Sequence, residues 1–258
     1  MSIHPEPVPG LRLERAGPIA RLLIDRADKR NAMSGAMWDA IPALVETAMT
    51  DPAIRVLVLQ SAVPGLFCAG ADIAEMVARR TDAAWLAGNQ SAINRAQHQL
   101  TRAVKPTVAS IDGDCIGGGA GLALACDIRV ASARARFGVT PARLGLVYPL
   151  HDTKLLIDLV GPGQAKRLMF TAGLIDAQEA LRIGLIEQLA DGADELAECI
   201  AANSGFSQRA IKGFARRVLD GQTDEDADTL QTFAAAFGGD DFREGTAAFL
   251  DKRAARFG

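Results

Sequence analysis

Between residues 55 and 131, short apolar runs rich in β-branched residues alternate with stretches of helical character, and no other feature restricts the fold of this chain so tightly. Residues 55–61 (RVLVLQS), 107–111 and 128–131 read as buried strands. Residues 72–79 and 82–103 read as helices, the first capped by Asp72 and the second stopped at Lys105-Pro106. Strands separated by helices cannot pair as hairpins. They need crossover connections, which stack them as βα units in largely parallel pairing.

Ahead of this block, residues 11–15 and 19–26 read as two strands around Gly17-Pro18, and Ser34 reads as the N-cap of a helix reaching about Met49. Past Asp152 the chain reads as helix almost throughout: 152–160, 163–171, 176–183, 194–203, 206–219, 225–237 and 240–255. The expected organisation is an α/β core over residues 1–190 carrying the site, followed by a helical region over 191–258. At 258 residues, 49% apolar and 23% charged, the chain has ample material for one large buried core.

A net charge of −3 gives no reason to expect a nucleic-acid or membrane partner. No run reaches the ~18 apolar residues of a spanning helix, and MSIHPEPVPG has no apolar signal core, so the expected compartment is the cytoplasm. Cys68, Cys115, Cys126 and Cys199 show no CxxC spacing, which favours four buried thiols over a metal site or a disulfide framework.

Two segments carry possible chemistry. Phe67-Cys68-Ala69-Gly70-Ala71-Asp72 and Gly117-Gly118-Gly119-Ala120-Gly121 each place small residues after a strand and at the start of a helix. Such turns let backbone approach a ligand closely and leave N–H groups unspent at a helix start. Close packing explains either segment alone equally well. A dinucleotide site does not, because GGGAGL departs from G-x-G-x-x-G.

Taken in order with their surroundings, these segments resemble the enoyl-CoA hydratase/isomerase (crotonase) superfamily. Residues 26–34 (RADKRNAMS) look like its first CoA-contacting loop, FCAGADI like its first oxyanion segment, and KP with VASIDGDCIGGGAGLALACDIRVAS like its second. FTAGLIDAQEALRIG and REGTAAFLDKRAARF are similar to its downstream signatures, so the resemblance spans nearly the whole chain. It implies an α/β fold, a spiral of ββα and βαβ units with a C-terminal helical trimerisation region. It also implies an acyl-CoA substrate, with coenzyme A as part of that substrate and no separate cofactor or metal, and a homotrimer or a hexamer built as a dimer of trimers. By resemblance, Ala71 and Gly118 supply two oxyanion N–H groups. Arg26, Lys29, Arg30, Ala69, Asp72 and Ile73 form the CoA path, and Lys252 joins it, from its own or a neighbouring subunit.

The chain departs from the family at two positions. The two glutamates that hydratases use fall on Gly121 and Pro141, neither of which can exchange a proton. An oxyanion hole without them still stabilises an enolate, so ordinary hydration is expected to be weak. Thr140-Pro141-x-x-Leu144-Gly145-x-x-Tyr148 is similar to methylmalonyl-CoA decarboxylases of the family, in which the tyrosine faces the substrate; a packed ring with a satisfied hydroxyl is the other reading of Tyr148. A non-catalytic acyl-CoA-binding protein stays open as well. A serine hydrolase does not fit, since no G-x-S-x-G elbow is present. Asp112, Asp114 and Glu75 are further polar candidates. His98 reads as a surface or structural residue, and Asp152 as a cap of the next helix or one half of a His151-Asp152 pair.

Overall fold

The structure is a computed structural model, and it describes residues 8–257. The signal-peptide reading of the N-terminus falls mostly on residues outside that range.

Strand β1 (Leu11–Ala16) pairs antiparallel with β2 (Ile19–Ile24), and helix α1 (Gly35–Thr50) follows, capped by the Ser34 hydroxyl. Then come β3 (Val56–Ser61), α2 (Ile73–Ala78), α3 (Ala83–Thr101), β4 (Thr107–Ile111), β5 (Asp114–Ile116), α4 (Gly118–Leu124), β6 (Ile128–Ala131) and β7 (Arg136–Gly138). Segment α5 (Leu150–Thr171) is interrupted at Gly161, where φ is +73° and ψ 162°, so it comprises the two helices expected at 152–160 and 163–171. The chain closes with β8 (Ile175–Asp176), α6 (Ala177–Arg182), β9 (Gln188–Leu189), α7 (Asp194–Ala201), α8 (Gly205–Leu219), α9 (Ala227–Gly238) and α10 (Asp240–Leu250).

The large sheet has the order β1-β2-β3-β4-β6-β9 and is parallel from β2 onward. A small sheet, β5-β7-β8, stands beside it. Isolated parallel bridges Cys68↔Cys115 and Met33↔Ala71 extend that small sheet's pairing toward α1. A repeating path results. After each large-sheet strand from β2 to β6 the chain makes a short extended step at 33, at 68–71, at β5 or at β7, and then enters a helix or a helical turn. That is the expected ββα spiral, and the short steps stack side by side.

Both faces of the large sheet are covered, as parallel sheets require. Along β3, Leu57 and Leu59 join the main core with Trp38, Ile41 and Leu100, while Val56 and Val58 join a second cluster with Val108, Val130 and Ala197. The unbroken apolar run of β3 therefore serves two cores with a period of two. Lys105, only 7% exposed, donates through Nζ to the Ala48 and Asp51 carbonyls at 3.0 and 2.6 Å and so satisfies the C-terminal end of α1.

Three expectations need correction. The region after Asp152 contains the two-residue strands β8 and β9, whose ladders are too short to leave a periodic signal. Helix α10 ends at Leu250 rather than near residue 255, and Lys252 beyond it adopts φ +51°. Cys199 is exposed, while Cys68, Cys115 and Cys126 are buried; burial pushes the Cys68 and Cys126 thiols up to about 12.

Candidate active site

The segment 68–72 runs between two neighbours as an irregular central strand. On one side Cys68 N–H donates to the Asp114 carbonyl at 2.8 Å and Ile116 N–H to the Cys68 carbonyl at 3.0 Å. On the other, Met33 N–H donates to the Gly70 carbonyl at 2.7 Å and Asp72 N–H to the Met33 carbonyl at 2.9 Å. That second ladder uses the groups flanking Ala71, so the Ala71 N–H points the opposite way. Gly118 is the first residue of α4 and its N–H has no preceding turn to bond. Among the described residues neither N–H donates to a protein acceptor.

The two groups lie together. A Cβ built on Gly118 would sit 3.5 Å from Ala71 N, and one on Gly70 would sit 3.3 Å from Gly118 N. Two unspent donors this close can serve one oxygen atom, and such a pair stabilises developing negative charge. Small residues are required for the approach itself: a Cβ on Gly119 would lie 2.8 Å from Cys68 Cβ. Gly117 holds φ +55° and ψ −113°, a conformation that side chains resist, while its N–H bonds the Gly138 carbonyl at 2.8 Å. Close packing and donor geometry are thus served by the same glycines.

The expected CoA-path residues are placed as follows. Arg26 donates through Nη1 to the Ala32 carbonyl at 2.9 Å and to Asp72 Oδ2 at 2.8 Å. Asp72 also caps α2 through the Glu75 N–H, and that bond, with Arg26 beside it, holds its carboxyl below the ordinary carboxylate range. Lys29 is exposed on the turn after β2. Arg30, at φ +52°, reaches Asp114 at 2.8 Å, and its carbonyl accepts the Ala69 N–H at 3.1 Å. Ile73 presents an exposed apolar side chain at the start of α2. Lys252 is exposed and bonds the end of its own helix at the Phe249 carbonyl.

The remaining polar candidates separate clearly. Asp112 is committed to Arg134, Ser132 and the Gly65 N–H, and Asp114 to Arg30 and Arg136. Glu75 Oε2 accepts the Gly35 N–H at 3.0 Å and so covers the first turn of α1. His98 is exposed, its ring centroid 6.5 Å from that of His151. Pro141 opens a 3-10 turn over residues 141–144. Tyr148 is buried, with Oη donating to the Gly117 carbonyl at 3.4 Å; burial first, and then Asp152, pushes its phenol well above its usual value.

Asp152 is the residue that sequence reasoning placed least well. The N-cap of α5 is Pro149, and Asp152 makes no cap bond. It is 1% exposed, and burial pushes its carboxyl up to about 6, opposed in part by the Gln97 amide. Asp152 Oδ1, both amide atoms of Gln97 and Trp38 Nε1 are buried without a hydrogen-bond partner, exceptions to the usual pairing of buried polar atoms. Gln97 carried no signal at all, since it is one glutamine in a polar helix. Asn31 is a second residue sequence reasoning missed. Fully buried at φ +56°, it donates to the Ser61 hydroxyl and the Phe67 carbonyl and accepts the Arg26 N–H, which latches the 26–34 loop to the 68–72 segment.

A spiral of ββα units with paired small-residue turns at two helix starts defines a crotonase-type acyl-CoA enzyme. The enoyl-CoA hydratase/isomerase family profile matches residues 14–258, and the chain belongs to that family. It is 34% identical to a crotonyl-CoA hydratase from Syntrophomonas wolfei, an alignment covering 95% of this chain and 96% of the relative. It is 33% identical to the mitochondrial methylglutaconyl-CoA hydratase of Mus musculus, over 93% of this chain and 79% of that protein. Among solved structures, a protein from Hyphomonas neptunium assigned to the enoyl-CoA hydratase/isomerase family superposes with a TM-score of 0.92 at 40% identity, covering 96% of this chain and 97% of that one.

Proposed function

We propose that this chain performs enolate chemistry on an acyl-CoA thioester, as a lyase or isomerase, with the thioester oxygen held between the N–H groups of Ala71 and Gly118. The nearness of two unspent backbone donors supports this reading. A chromophoric thioester, 4-dimethylaminocinnamoyl-CoA, tests it directly. Bound in such a hole its carbonyl polarises and its absorption moves to longer wavelength. Binding with an unchanged spectrum overturns the reading.

Standard hydration is not the favoured reaction. Gly121 and Pro141 stand where hydratases of the family carry glutamates, so water has no pair of carboxylates to position and deprotonate it. Weak turnover of crotonyl-CoA is expected; a rate of ~10² s⁻¹ or more overturns this part. Lys29, Arg30 and Lys252 are the cations proposed to meet CoA phosphates, with Ala69 and Ile73 along the pantetheine path. Exposed Phe233, Phe237, Phe249 and Leu250 on and beside α9 and α10 support assembly into a trimer or a dimer of trimers, and the three buried free thiols are compatible with the cytoplasm.

One observation favours a second reading, decarboxylation of a malonyl-type thioester. The Tyr148 hydroxyl stands at the Gly117 carbonyl, beside the proposed hole, as a neutral donor. Release of CO2 from methylmalonyl-CoA checks it. A non-catalytic acyl-CoA binder would shift the chromophore and turn over nothing.

A further inference from the structure

Gly118 and Gly121 lie three positions apart on α4 and therefore share a face. At Gly118 that face meets Ala71 N. One turn on, a Cβ built on Gly121 would lie closer than 3.0 Å to Gln97 Nε2 and 3.2 Å from Asp152 Oδ2. The volume that a side chain at 121 would fill is already occupied, by a carboxyl delivered from α5 and an amide delivered from α3. Both are essentially sealed from solvent, at 1% and 0% exposure, and Oδ1 of the carboxyl is unbonded. Helix α4 (GGAGLAL) carries no titratable group, yet the fold sets a carboxyl one turn from the donor pair.

Resting on the enolate reading above, we infer that Asp152 is the acid/base of this enzyme, taking a proton from the carbon next to the thioester carbonyl and returning it. In the forward step the C2–H bond breaks, the proton passes to the ionised Asp152 carboxylate, and the bonding electrons move onto the thioester oxygen held by Ala71 and Gly118. The protonated carboxyl then trades its proton with solvent and gives the solvent-derived one back to C2, which is exchange, or delivers its proton to C4 of a 3-enoyl thioester, which yields the 2-enoyl isomer. One carboxylate suffices for either outcome, and no oxidant or co-reactant is needed. Burial supports the role by holding the carboxyl up to about 6, close to physiological pH. The groups around it leave that titration to Asp152. Tyr148 is kept neutral by burial. His151, next in the chain, is shifted toward its neutral form by burial and by His98, Arg216, Lys154 and Arg102. Gln97 is the residue α3 brings against it.

Deuterium wash-in at C2 of butyryl-CoA in D2O, followed by mass spectrometry, tests the assignment without knowing the natural acyl group. The wild-type protein is expected to exchange, with a rate that rises through pH about 6 to a plateau. Asp152→Asn is expected to lose at least about 10²-fold in exchange and to lose that inflection, while 4-dimethylaminocinnamoyl-CoA still binds with its red shift. Gly121→Glu combined with Asp152→Ala and Gln97→Ala clears both side chains that a Cβ at 121 would meet, returns a carboxylate to α4, and is expected to recover exchange relative to Asp152→Ala with Gln97→Ala; this comparison decides the question if Asp152→Asn does not fold. Exchange at the wild-type rate in Asp152→Asn overturns the assignment. So does a wild-type protein that red-shifts the chromophore but never exchanges C2. A bound chromophore with no red shift removes the enolate reading instead, and the assignment with it.

Discussion

The guanidinium of Arg26 donates to Asp72 Oδ2 at 2.8 Å, and Oδ1 of the same carboxylate accepts the Glu75 N–H at 3.1 Å. One side chain thereby starts α2 and ties it to the 26–34 loop, and it does so next to Ala71. Asp72→Ala removes the cap, worth about 1 kcal/mol, and leaves a half-buried guanidinium short of its partner. A total loss of about 2 kcal/mol is expected in urea unfolding at pH 7, together with a raised KM for the thioester. Asp72→Asn keeps a capping oxygen and should lose less. Because the Asp72 carboxyl is held below its ordinary range, this contribution is present near neutrality and fades as acid protonates the group.

Gly70 adopts φ +100°, and a Cβ there would lie 2.9 Å from the Ile116 carbonyl oxygen and 3.3 Å from Gly118 N. Gly70→Ala meets backbone on the crowded side and a conformation that L side chains rarely adopt. A cost of about 2–3 kcal/mol is expected, a fall in Tm of about 5–10 °C for a chain of this size. The two donor segments would also be pushed apart, so the red shift of the bound chromophore should shrink. A variant with unchanged Tm and spectrum would show that the segments are not in contact.

Burial of Asp152 sets a stability prediction whose sign follows from its raised pKa. Its carboxyl moves from an ordinary 3.8 up to about 6, so the folded protein holds this proton more tightly than the unfolded chain. Unfolding free energy therefore falls as pH rises from about 4 to about 6 and stays lowered above that. The gap corresponds to about 3 kcal/mol. Asp152→Asn should stabilise the protein by up to that amount at pH 7.5 and by almost nothing at pH 4, while losing proton exchange. An equal gain at both pH values would assign the effect to packing rather than charge.

The bond from Tyr148 Oη to the Gly117 carbonyl is long at 3.4 Å. Tyr148→Phe should cost about 1 kcal/mol or less in stability. If decarboxylation is the reaction, CO2 release from methylmalonyl-CoA falls well below wild type. Butyryl-CoA exchange should stay within about threefold of wild type, because a neutral phenol takes no part in moving the C2 proton.

Much of the architecture is legible in short windows of sequence. The strands at 56–61, 107–111 and 128–131, the caps at Ser34 and Asp72, and the two small-residue turns each depend on neighbours within a few positions. The second sheet is not legible, because strands of two or three residues show no period, and the bridges Met33↔Ala71 and Cys68↔Cys115 join single residues. The resemblance puts Arg26 and Asp72 on one expected CoA path, but nothing in the sequence pairs them with each other.

The sequence by itself determined the alternation of strand and helix, the small residues at two helix starts, and a glycine and a proline, neither able to carry a proton, at positions 121 and 141. All are properties of the residue type or of its immediate neighbours. Only the tertiary structure decided which groups stand beside Gly121. Asp152 lies 31 positions after Gly121 and Gln97 lies 24 before it, and both fill the same few ångströms beside α4. The physical reason is that a carboxyl's chemistry depends on its solvation and on what it touches, and both arise when α3, α4 and α5 pack together; an aspartate near a helix start reads identically whether it faces water or the core.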